Sequence, residues 1–110
     1  MSVLVTVGTG FIGSHLLRRF VDEGKTVVAY DAFQDYNAVI NIKDQVVVKK
    51  GDVLDLAESA QALEEHSVDA IVHMVSVLAL ESQTRPMTAL RTNVEGTVNV
   101  LEAARIAGIK

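Results

Sequence analysis

Residues 3–31 read VLVTVGTGFIGSHLLRRFVDEGKTVVAYD, a β-branched strand, a glycine-rich turn, an amphipathic helix, a second strand and an acid. The first strand, Val3 to Val7, ends at Gly8, and Gly8-Thr9-Gly10-Phe11-Ile12-Gly13 follows directly as G-x-G-x-x-G. Gly8 is expected to make the tight turn out of the strand. Gly10 lets a backbone approach a pyrophosphate with no Cβ in the way, and Gly13 lets helix and strand pack closely. The N–H groups of the first helical turn then face the phosphates at the positive end of the helix dipole. Ile12, Leu16 and Phe20 recur along one face with a helical period, and Thr26 to Tyr30 restores a strand that ends in Asp31. Asp31 lies 18 residues past Gly13, close to the spacing of roughly 20 at which a carboxylate accepts hydrogen bonds from the adenosine ribose hydroxyls. Two plain alternatives stand beside this reading: glycines that only join a strand to a helix, and an Asp31 that is a solvated strand-end acid. The order of parts favours a βαβ unit that holds a dinucleotide.

The same carboxylate discriminates between cofactors. A 2′-phosphate beside Asp31 meets like charge, and no Arg or Lys occupies positions 31–40 to offset it. NAD is therefore expected over NADP.

At 110 residues the chain is one domain or part of one, able to bury roughly 60–70% of its unfolded surface. Hydrophobic residues make up 49%, yet no uninterrupted apolar run approaches the roughly 20 residues of a membrane span. The first strand begins too soon after Met1 for the basic segment of a secretory signal. A cytoplasmic protein without a membrane partner is expected. The absence of cysteine excludes disulfides, thiolate metal sites and a Cys nucleophile. A net charge of −4 argues against nucleic acid as the partner, because phosphate binding needs a basic face. His15, His66 and His73 lack metal-ligand spacing, and neither Ser14 nor Ser76 stands in a G-x-S-x-G context, so metal and hydrolase readings fail.

Beyond Asp31, residues 34–44 are polar enough that any helix there is short. Gln45 to Lys49 reads as a third strand. Asp55 is placed to cap a helix with Glu58 in capping-box spacing, and Leu56, Ala60 and Leu63 supply its buried stripe. Val68 to His73 reads as a fourth strand, followed by a loop from about Met74 to Arg85. Pro86 then opens a last helix that runs to about Ala107, with Leu90, Val94, Val98 and Leu101 expected inward and Gly108 as its stop. Alternating strands and helices imply an α/β, three-layer, Rossmann-like fold with four parallel strands in the order 3-2-1-4. Strand four then lies at an edge, and Ile109-Lys110 reads as the approach to an absent fifth strand. Either the chain is truncated before strand five or a second copy covers the edge. A homodimer through this edge or through the last helix is expected.

Over essentially its whole length the chain resembles the N-terminal half of the extended short-chain dehydrogenase/reductase family, in particular NAD-dependent epimerase/dehydratases acting on nucleotide sugars. Thr6 to Gly13 (TVGTGFIG) is similar to the family's TGGTGFIG turn, and Gly51-Asp52-Val53 to its GDV/GDI segment. Val72 to Val75 is similar to VIHLAA, and the run from Asn93 to Ala103 to NVxGTxNVLEAA. The resemblance implies that residues 1–110 form the N-terminal half of an NAD(P)-binding domain. It implies a pyrophosphate held by Gly10, Phe11, Ile12 and Gly13, with Gly8 in the turn. It also implies adenosine ribose on Asp31, adenine by Asp52 and Val53, and Met74, Val75 and Ser76 near the nicotinamide side. Asn93 would support the active-site backbone. Residue by residue, Asp52 reads equally well as a turn former, and His73 reads better as a satisfied strand-end histidine than as a base. Two departures stand out: the family's first turn glycine falls at Val7, and Val75-Ser76 replaces two alanines. The family's Tyr-x-x-x-Lys pair is also missing, since Tyr30 is followed by Gln34 and Tyr36 by Ile40. No catalytic residue is therefore assigned, and these 110 residues alone are expected not to turn over a sugar. The rival readings are a self-associating fragment with an empty turn and a non-catalytic sensor of NAD or NADP.

Overall fold

The computed structural model describes residues 1–110. Four parallel strands, β1 (Ser2–Thr6), β2 (Thr26–Asp31), β3 (Val46–Lys50) and β4 (Ala70–Val72), form one sheet in the order β3-β2-β1-β4. The Rossmann-like order 3-2-1-4 is thus realised. β1 pairs with β2 from Ser2–Thr26 to Thr6–Tyr30, and with β4 from Val3–Ala70 to Val5–Val72. Alternation along the strands splits the core in two. On one face Leu4, Val28, Tyr30, Val53, Leu63, Val100 and Ala103 pack together under α2 (Leu56–Glu65) and the last helix. On the other, Val3, Val5, Val27, Ala29 and Val46 pack with Leu17 of α1 (Phe11–Asp22) and with Val39, which a short 3₁₀ turn (Tyr36–Val39) buries completely.

The helix ends follow the sequence signals. Asp55 Oδ1 accepts the Glu58 N–H at 3.0 Å, while its own N–H is taken by the Asp52 carbonyl, so the cap forms without the return bond from Glu58. Gly108 takes φ +75° just past the last helix. There Ile109 N–H donates to the Ala104 carbonyl and Gly108 N–H to the Arg105 carbonyl, a Schellman closure.

Three expectations are corrected. The segment after β4 is not all loop: Ala79–Thr84 forms a short helix, α3. Ile12 does not belong to the buried stripe of α1. It is 70% exposed, and the buried positions are Gly13, Ser14 and Leu17, with Leu16, Phe20 and Val21 partly covered. Burial on this helix starts one residue later, at Gly13.

The third correction concerns the last helix, built from α4 (Pro86–Leu90), a wide π-type turn (Arg91–Glu95) and α5 (Gly96–Ile106). Leu90, Val94, Val98 and Leu101 face outward, each more than half exposed, and the inward positions are Ala89, Gly96, Val100 and Ala103. Small residues are needed there because the helix packs closely: a Cβ on Gly96 would lie 2.9 Å from Val53 Cγ2. Asn99 Nδ2 fixes the approach by donating to the Val53 carbonyl at 2.9 Å.

Candidate cofactor site

Strand β1 ends in a turn whose backbone is closed on itself. Val7 N–H donates to the Tyr30 carbonyl and Gly10 N–H to the Val7 carbonyl, both at 3.0 Å. Gly13 sits against this turn so tightly that a Cβ there would collide with the Val7 carbonyl oxygen and reach within 2.9 Å of Gly8 Cα. Gly8 does a different job from the one expected. The left-handed residue of the turn is Val7, at φ +56°, and Gly8 instead makes room for β2, where a Cβ would lie 2.6 Å from Ala29 Cβ.

The N-terminus of α1 is left open. Gly10 provides no side-chain cap, and the first turn holds no acid. The N-terminus of α2, by contrast, is closed by Asp55 with Glu58 in its first turn. Uncapped first-turn amides at a helix N-terminus attract an anion. Phe11 and Ile12 contribute backbone here; the Phe11 side chain points to solvent, 82% exposed, edge-on to the His15 ring.

Asp31, at the end of β2, is buried beside this turn. Its Oδ2 accepts the Thr9 hydroxyl at 2.7 Å and its Oδ1 the Phe33 N–H at 3.2 Å. Thr9 Oγ1 also accepts the Asp35 N–H at 3.1 Å, so one hydroxyl ties the glycine turn to the segment after β2. A carboxylate has about four acceptor positions, and two are used, which leaves capacity for a diol. Thr9 carried no signal of its own in the sequence, being only a variable position within the glycine motif.

A cleft of about 580 Å³ runs past Gly10, Asp31, Asp52, Val53, Val75 and Ser76, a volume in the usual range for small-molecule sites. Six expected residues from four segments of the chain thus line one cleft. Asp52 forms a turn, its Oδ1 accepting the Leu54 N–H at 2.9 Å, and borders the cleft as well. Arg85, just before α4, Thr88 of α4 and Thr92 of the π-type turn also line it; their scattered positions gave no motif to read. Met74 does not line the cleft. Its side chain packs in the core facing α1, and its N–H donates to Thr6 Oγ1 at 2.7 Å.

Behind the cleft lies a directed hydrogen-bond chain. The Thr97 hydroxyl donates to the Asn93 carbonyl at 2.6 Å, so it accepts from His73 Nε2–H at 3.1 Å. His73 Nδ1 then accepts the Thr6 hydroxyl at 3.1 Å. Both ring nitrogens are satisfied in the neutral form, and burial lowers the His73 pKa below its ordinary 6.5. Asn93, carried on the π-type turn, accepts the Val77 N–H at 2.6 Å and donates to the Val77 carbonyl at 3.2 Å, holding the strand-like segment after β4. Tyr30 is no candidate base: its hydroxyl is hydrogen-bonded to Ser59 Oγ at 3.2 Å, and desolvation pushes its pKa up to about 12.

The chain matches the model of the NAD dependent epimerase/dehydratase family over residues 3–110. It is 31% identical to a UDP-glucose 4-epimerase of Klebsiella pneumoniae, covering all of this chain and 84% of that one. It is 33% identical to the UDP-glucose 4-epimerase of Erwinia amylovora, covering 99% of this chain and 34% of the relative. Among solved structures, a UDP-glucose-4-epimerase from Stenotrophomonas maltophila with bound NAD and formylated UDP-arabinopyranose superposes with a TM-score of 0.92 at 32% identity, covering 100% of this chain and 35% of that one. The Thermus thermophilus UDP-glucose 4-epimerase in complex with NAD gives 0.89 at 29%, again over 100% and 35%. The chain therefore spans about a third of the length of three of these four proteins.

Proposed function

The chain belongs to the NAD dependent epimerase/dehydratase family, and from that premise we propose that it is the NAD-holding part of a nucleotide-sugar epimerase or dehydratase. The observation that carries the reading is the single cleft that gathers Gly10, Asp31, Asp52, Val53, Val75 and Ser76 beside an uncapped helix N-terminus. In this reading Gly8 makes room for β2, Gly13 lets the turn close, and the backbone of Gly10, Phe11, Ile12 and Gly13 receives the pyrophosphate. Asp31 accepts the ribose hydroxyls with Thr9 fixing its carboxylate, and Asp52 and Val53 border the adenine. Val75 and Ser76 line the path toward the nicotinamide, and Asn93 holds the backbone just after them. Met74 supports this path through its core packing.

NAD fits better than NADP. Asp31 repels a 2′-phosphate, and the cleft's one basic lining residue, Arg85, has its guanidinium 3.8 Å from the Glu81 carboxylate. Bound NAD supplies a hydride acceptor for a sugar carbon. The proton of the sugar hydroxyl needs a base that these residues do not offer, since Tyr30 stays protonated and faces Ser59. We therefore assign proton transfer and sugar binding to groups outside residues 1–110, so that this chain alone holds cofactor without turnover. No helix is long and apolar enough to cross a membrane. A cytoplasmic setting is proposed with the cofactor reading, and a chain without cysteine suits a reducing compartment. The outward stripe Leu90, Val94, Val98 and Leu101 supports a homodimer formed through the last helix.

Calorimetric titration with NAD and with NADP, on the chain and on Asp31→Ala, tests the cofactor reading. Saturable NAD binding that exceeds NADP binding and weakens in the variant is expected. No heat from either nucleotide at millimolar concentration would reject the reading and leave a self-associating domain with an empty turn.

A further inference from the structure

Val7 is one of two non-glycine residues with positive φ, at +56°, in a region where a β-branched side chain is a true outlier. Its conformation is imposed from both sides, since its N–H is bonded to Tyr30 and its carbonyl to Gly10. The branched side chain also lies where the turn should be bare. Its Cγ1 is 2.8 Å from the position a Cβ on Gly10 would take, and Val7 borders the cleft with Gly10. The space that Gly10 opens by lacking a side chain is therefore occupied by a methyl group of Val7.

Building on the cofactor reading above, we infer that Val7 sets the affinity of this site by covering the phosphate end of the cleft while holding the turn under strain. The two effects separate. Strain is present with or without ligand and acts on stability; the methyl groups over Gly10 compete with a pyrophosphate and act on affinity. A ligand without phosphates is blind to Val7, and one with a pyrophosphate is not.

The test is calorimetry of the full chain, Val7→Gly and Val7→Ala with adenosine, ADP and NAD, alongside thermal melts without ligand. Circular dichroism confirms that each variant folds. Both variants are expected to bind ADP and NAD about tenfold or more tightly, with adenosine unchanged. Val7→Gly, which has no Cβ to strain, raises the melting temperature most. Val7→Ala loses the branch but keeps its Cβ, so it shows a similar affinity gain with a smaller stability gain. If the chain binds NAD and neither variant improves it, the inference about Val7 falls while the cofactor reading stands. Equal gains for adenosine and ADP also overturn it, because the effect would then not lie at the phosphates. Absence of NAD binding in all three proteins removes both readings together.

Discussion

The glycine turn of β1–α1–β2 and the outer face of the last helix are both rich in apolar residues, and the fold treats them in opposite ways. Around the turn, backbone is packed on backbone: Gly13 lies against the Val7 carbonyl and Gly8 against Ala29. On the last helix the large side chains Leu90, Val94, Val98 and Leu101 stand out in solvent, while Ala89, Gly96, Val100 and Ala103 pack inward. The lesson is that side-chain size, as much as hydrophobicity, chooses the buried face where a helix must come close to its neighbours. A helix apolar on more than one side has a face left over for another partner.

The sharpest way to test this contrast is to add bulk to the closed region. Gly13→Val places atoms on the Val7 carbonyl and Gly8 Cα, neither of which can move without opening the turn. Overpacking against backbone is expected to cost about 3 kcal/mol or more, read as a lowered urea midpoint or loss of the folding transition. An unchanged midpoint would show that the turn is far looser than its geometry.

A smaller loss follows from Thr9→Val, which keeps the shape and removes the hydroxyl. Asp31 Oδ2 then loses its 2.7 Å donor and Asp35 N–H its acceptor. Leaving these groups unmatched is expected to cost about 1–2 kcal/mol, with NAD affinity falling in parallel because Asp31 is no longer held. Loss of stability with unaltered affinity would separate Thr9 from the site.

On the open face the same kind of disruption is expected to cost the folded chain almost nothing. Val98→Lys combined with Leu101→Lys puts charges on side chains already 57% and 65% exposed, so the stability of the monomer should shift by no more than about 0.5 kcal/mol. Sedimentation should nevertheless show dimer lost in the double variant and present in the parent. A parent that stays monomeric at high concentration would remove the pairing proposal.

These contrasts also mark what was legible in the sequence. The strand order, the cap at Asp55, the stop at Gly108 and the places of Gly10 and Asp31 rest on local rules of turn chemistry, period and spacing, whereas Asp52, Val53, Val75 and Ser76 were legible only through the family resemblance. Other features depend on partners distant in the chain. The inward face of the last helix is chosen by Val53, whose side chain Gly96 must clear. Met74 turns into the core because Thr6 binds its N–H. Thr9 matters only because β2 brings Asp31 beside it. The strain at Val7 was visible only as a missing glycine; its sign and size needed the backbone angle.

The smallest expected effect lies between the two regions, at the histidine that links the end of β1 to α5. His73 is held neutral between Thr6 and Thr97, and burial depresses its pKa below 6.5. As the pH falls through that ordinary value the unfolded chain takes up a proton that the folded chain resists, so stability is full above it and declines below it. Urea midpoints measured from about pH 7.5 down to about pH 5.5, above the carboxylate range, should therefore fall for the parent. In His73→Gln, which cannot gain a proton there, the slope should shrink while the whole curve lies lower, because the amide cannot match both hydroxyls as the ring does. The two proteins differ at position 73 alone, so the difference between the curves belongs to His73. Parallel curves would mean that Nδ1 takes up its proton at no cost to the contact with Thr6, and that the link between strand and helix is indifferent to charge.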